Sequence, residues 1–139
     1  MQIQIVSLFA DALLDALAMG VTGRALTDGP VTIGTVDPRR FTADVHRTVD
    51  DRPYGGGPGM VLKVAPMRAA IDAAKAALPT AAPVIALGPQ GRRFDHAAAA
   101  RLAGLPGFVL VAGRYEGLDE RLLERDVDEE LSLGDYVLS

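Results

Sequence analysis

At 139 residues, 49% of them apolar and 23% charged, the chain has the balance of one ordinary globular domain and too little material for two comfortable cores. It contains no cysteine, which excludes a disulfide framework and a thiolate nucleophile and leaves a metal only oxygen ligands, His46 or His96. The net charge of −4 argues against a polyanion partner in general, but Arg39, Arg40, Arg47 and Arg52 cluster in mid-chain and keep a local basic patch open.

From the N-terminus, Ile3 and Ile5 alternate with Gln2 and Gln4 and run on into Val6, the pattern of a strand. Ala10, Leu13, Leu14 and Leu17 then follow helical spacing, with Gly20 where that helix would stop. Asp11 and Asp15 interrupt this apolar opening and no basic flank precedes it, so neither a signal peptide nor a membrane span is expected, and a cytoplasmic protein is. Val31, Ile33 and Val36 make a second strand. Residues 37–59 carry almost no hydrophobic period and end in Tyr54-Gly55-Gly56-Gly57-Pro58-Gly59, a shaped backbone that would let another group approach closely. The run lacks the Lys-Ser or Lys-Thr of a phosphate loop, and Met60 stands where a dinucleotide fingerprint needs its third glycine.

Met67, Ile71, Ala74 and Leu78 trace one face of the clearest helix, ended by Pro79, while Arg68, Asp72 and Lys75 on its other face are spaced for ion pairing. A strand to Leu87 leads into Gly88-Pro89-Gln90-Gly91, followed by a helix from Phe94 through Leu102 that carries His96. The apolar run Val109-Leu110-Val111-Ala112 stops in Gly113-Arg114-Tyr115-Glu116-Gly117, and a short helix from Leu118 to Arg125 follows. Asp126, Asp128, Glu129 and Glu130 lack the spacing of a calcium loop. Leu131-Ser132-Leu133 forms a last strand, running into Gly134-Asp135-Tyr136-Val137-Leu138. Strands alternating with helices predict an α/β fold with a largely parallel sheet flanked by helices. Its ligands belong at strand carboxyl ends, so the three glycine-bearing loops are expected to line one pocket. No nucleophilic triad or metal spacing is evident; Glu116, between Tyr115 and Gly117, is the titratable side chain best placed to orient a bound group or move a proton.

Three segments together, Val49 through Met60, Gly113 through Arg121 and Leu133 through Ser139, resemble the bacterial tRNA (guanine37-N1)-methyltransferases of the SPOUT class. The similarity runs through the whole chain, including Val21-Thr22-Gly23-Arg24 and Gly88-Pro89-Gln90-Gly91. It implies a trefoil-knot methyltransferase domain that works as a homodimer, binds S-adenosyl-L-methionine, and methylates N1 of the guanine 3′ to the anticodon of tRNA. By that resemblance the cofactor is wrapped by Leu87, Gly88, Pro89 and Gly91, by Gly113, Arg114, Tyr115 and Gly117, and by Leu133, Gly134, Asp135, Tyr136, Val137 and Leu138. Glu116 matches an acid tied to catalysis and to Mg2+ dependence, with no metal ligand set assigned, and Asp50, Arg52, Tyr54, Pro58 and Gly59 match the loop that meets the target nucleotide.

Gly88 replaces a serine found in many relatives, at the cost of at most one side-chain hydrogen bond. The family pattern also continues past Ser139, through glycines that complete the cofactor loop and the knot, a linker aspartate proposed as general base, and a helical tRNA-binding domain. The expectation is therefore one cofactor-binding domain over residues 1–139, with the knot incomplete and little or no turnover by these residues alone. The alternatives are a non-catalytic cofactor-binding fragment and a SPOUT enzyme acting on another RNA position.

Overall fold

The structure is a computed structural model that describes residues 1–137. Its centre is a five-stranded sheet in the order β2-β1-β6-β5-β7, every neighbouring pair parallel. The strands are β1 (Gln2–Val6), β2 (Thr32–Val36), β5 (Val84–Arg93), β6 (Gly107–Ala112) and β7 (Glu129–Ser132). A separate two-stranded antiparallel ladder joins β3 (Asp50–Asp51) to β4 (Val61–Leu62).

A parallel sheet covered on both faces needs interior strands that are apolar on both, and β6 meets the demand. Val109 and Val111 enter one cluster, packed against α3 (Val64–Ala76) and α5 (Glu120–Asp126) through Met67, Ile71, Ala74 and Leu122. Phe108 enters the other, with Leu110 packed against it, beside Leu102 of α4 (His96–Ala103). The expected helical stripe of α3 is thus its buried face, with Pro66 and Ala70 added. Arg68 on its far side does not pair along the helix as its spacing suggests; its guanidinium grips the Asp126 carboxylate at 2.9–3.2 Å and ties α3 to α5.

Several local expectations change. Gly20 does not end a helix: α1 (Ala10–Leu17) stops at Ala18, and Gly20, at φ +64°, opens α2 (Gly20–Thr27). No residue of α1 is buried. Residues 37–59 are better anchored than their lack of period suggests: Pro38–Phe41 form a 3-10 turn on buried Pro38, and buried Val49 accepts the Lys63 N–H at 2.8 Å. Leu118 precedes α5, which starts one residue after Asp119; the Asp119 carboxylate caps it by accepting the Arg121 N–H at 3.0 Å. The Arg121 guanidinium holds that carboxyl below the usual range. Leu133 lies beyond the end of β7 and is exposed.

Candidate functional site

The chain leaves β5 to form α4 on one face of the sheet and leaves β6 to form α5 on the other. Where successive connections depart to opposite faces, the carboxyl ends of the two strands splay and leave a crevice that no connection covers. A cavity of about 480 Å3 occupies that place, between Leu87, Gly88 and Pro89 from β5 and Ala112 and Gly113 at the end of β6. Leu133, Tyr136 and Val137 wall its third side, so all three glycine-bearing loops do share one pocket. Its size is that of a small-molecule site.

The first loop has a shape the sequence does not announce. Gly88–Gly91 do not end β5 but interrupt it: pairing with β7 runs to Leu87↔Leu131 and resumes at Arg92↔Leu131 and Arg93↔Ser132. The four residues therefore arch out of the ladder at the cavity, and the chain returns to donate the Phe94 N–H to Ser132 at 2.7 Å. One close approach requires glycine here: a Cβ on Gly91 would strike the Glu130 backbone, whereas one on Gly88 would meet only the Glu130 carboxylate, the end of a side chain that can swing aside. Burial, reinforced by Glu120, raises the Glu130 carboxyl above its ordinary value of 4.5.

The second loop is held from outside. Residues 52–60 leave the β3–β4 ladder and turn through positive φ at Gly55, Gly56, Gly57 and Gly59. The far end of this excursion lies on the loop after β6: the Glu116 N–H donates to Met60 at 2.9 Å, and the Leu62 N–H to Gly117 at 3.0 Å. The β6 loop itself turns left-handed at Tyr115, φ +60°, and Gly117, φ +116°. A non-glycine residue there costs on the order of 1 kcal/mol. The turn leaves Tyr115 about half exposed, while the Arg114 guanidinium lies 5.4 Å from the centre of the exposed Phe9 ring.

The residues singled out in the sequence thus fall into two neighbouring groups. Leu87, Gly88, Pro89, Gly113, Leu133, Tyr136 and Val137 line the cavity; Gly91, Arg114, Tyr115, Glu116, Gly117, Gly134 and Asp135 do not. Leu138 lies outside the described residues. Gly59 meets Glu116 directly, Asp50 is held in the β3–β4 ladder, and Arg52, Tyr54 and Pro58 stand exposed on the excursion. The sequence reading missed the apolar wall made by Phe94, Leu102, Phe108, Leu110 and Leu131. The signal was there, since Phe108 and Leu110 alternate with Val109 and Val111 in a strand with two apolar faces. His46 and His96 are both exposed. Among the described residues no three His, Asp or Glu side chains gather as a metal site, and Glu129 is taken up by Arg92 and Arg101.

Comparison with known proteins points one way. The family-wide profile described as tRNA (Guanine-1)-methyltransferase TrmD matches residues 1–139. Proteins named tRNA (guanine-N(1)-)-methyltransferase are similar over the full chain, at 59% identity in Methylococcus capsulatus and 55% in Serratia marcescens. The chain covers 55% and 54% of those two proteins, about half the length of the curated relatives it matches. The crystal structure of tRNA (m1G37) methyltransferase from Aquifex aeolicus superposes with a TM-score of 0.88 at 32% identity, over 100% of this chain and 62% of that one.

Proposed function

The chain belongs to the tRNA (guanine-1)-methyltransferase TrmD family, and from that premise we propose that its domain binds S-adenosyl-L-methionine in the cavity between β5 and β6 and serves methylation of N1 of guanine 37 in tRNA. The observation that carries this reading is the meeting of two features in one place. The loop after β6 both lines a cavity built from three strand-end loops, through Gly113, and carries a carboxylate, Glu116, that the glycine-rich excursion touches.

The cavity fits such a cofactor: Leu87, Phe108, Leu110 and Leu131 offer apolar walls for a flat ring, and the backbone at Gly88 and Gly113 offers groups that can fix its polar edge. Bound there, the cofactor supplies an electrophilic methyl group. The work of this chain is to hold the two reacting centres in line and to manage charge on the base. In this reading Glu116 orients the guanine and favours loss of its N1 proton. Asp50, Arg52, Tyr54 and Pro58 lie on the target side, where exposed Tyr54 and Arg52 suit a base and a phosphate. Magnesium finds no cluster of three His, Asp or Glu ligands among the described residues.

The reading includes a homodimer, supported by the unburied α1 and by Phe9, Met19 and Val21, all more than half exposed. No helix among the described residues is long and apolar enough to cross a membrane. The test is single-turnover methyl transfer to a tRNA transcript by the full-length protein and its Glu116→Gln variant. A transfer rate reduced by about a hundredfold, with cofactor affinity changed less than about threefold, is expected. Equal losses in rate and affinity would reduce Glu116 to a binding group.

A further inference from the structure

Gly59 is the point at which the glycine-rich excursion touches the carboxylate. A Cβ built on Gly59 would lie under 3.0 Å from the Glu116 Cγ, Cδ and Oε1, so the Glu116 side chain occupies the space that any other residue at 59 would fill. The remaining glycines of the excursion differ. Gly55, Gly56 and Gly57 share its positive φ but have open space where a Cβ would go. They need to be glycine for their backbone; Gly59 needs to be glycine for its backbone and for its neighbour. The contact is locked on either side, by the Glu116 N–H on Met60 and the Leu62 N–H on Gly117.

We infer that Gly59 is a positioning residue, the seat against which the Glu116 carboxylate is held, and that the β3–β4 excursion sets the direction of that carboxylate. This assigns Gly59 to Glu116 where the family resemblance gives it to the target nucleotide, and it rests on Glu116 acting in methyl transfer. Because the atoms in the way belong to a flexible side chain and not to backbone, Gly59→Ala is expected to move the carboxylate, with a backbone strain on top. Gly57→Ala imposes the same kind of backbone strain with nothing to displace, and so measures what strain alone costs.

The experiment compares Gly59→Ala, Gly57→Ala, Glu116→Gln and the double variant Gly59→Ala/Glu116→Gln in the full-length protein. It reads single-turnover rate, cofactor affinity and the 13C signal of the Glu116 carboxylate. Gly59→Ala is expected to lower the rate about tenfold or more beyond Gly57→Ala, to leave cofactor affinity nearly unchanged, and to shift the carboxylate signal. Added to Glu116→Gln it should cost nothing further, since its effect runs through the carboxylate it displaces. A carboxylate signal unmoved in Gly59→Ala, or rate losses that multiply in the double variant, would overturn the inference. A Glu116→Gln variant with undiminished rate would instead sink the role of Glu116 in transfer, and the carboxylate signal would still decide whether Gly59 seats it.

Discussion

At the residue scale, the telling side chains are those whose place is set by a neighbour's absence. Gly88 lets the Glu130 carboxylate come against the arch of β5, and this carboxyl is raised by burial and by Glu120. A carboxyl raised on folding binds its proton more tightly in the folded chain, so the stability it gives is present below 4.5 and is lost as pH rises through the folded value. Glu130→Gln is therefore expected to be more stable than the parent at pH 7 and to lose that advantage under acid conditions, as read by denaturant unfolding across pH. A variant with the same advantage at every pH would place the effect in packing rather than charge. The glycines were legible as glycines in the sequence, but their roles were not. Pattern marks where the backbone turns, whereas the partners of Gly59 and Gly88 come from residues 116 and 130 and are supplied only by the fold.

At the element scale, the helices separate by what they cover. The stripe of α3 could be read from the sequence because its period agrees with burial at every position of the stripe within the helix. The stripe of α1 is as regular, yet nothing in the chain packs deeply on it. A moment shows that a helix has an apolar side, and the partner decides whether that side is buried. Ile71→Ala is expected to destabilise the domain by about 2–5 kcal/mol, whereas Leu14→Ala should cost about 1 kcal/mol or less in the monomeric domain, by denaturant unfolding at low protein concentration. A Leu14→Ala loss that grows with protein concentration would mean that a second copy covers α1, as the homodimer reading expects. The break in β5 was hidden for another reason: Gly88-Pro89-Gln90-Gly91 reads as the end of a strand, and only the renewed pairing of Arg92 and Arg93 with β7 shows it to be an arch.

At the scale of the whole molecule, the strand order carries the functional argument. Composition and period gave an α/β parallel sheet, and the site class followed from the rule that such sheets bind at strand carboxyl ends. Which two strands form the crevice could not be read, because it depends on the order β2-β1-β6-β5-β7 and on the opposite faces taken by α4 and α5. With that order in place, Leu87–Pro89, Gly113, Leu133, Tyr136 and Val137 come to one cavity, and Glu116 follows on the loop that Gly113 begins. The central claim is that this cavity is the cofactor site. It is tested most directly by hydrogen–deuterium exchange of the full-length protein with and without saturating S-adenosylhomocysteine. Protection gathered on peptides covering residues 87–91, 112–117 and 132–137 is the predicted result. Bound ligand with those three stretches unprotected would contradict it.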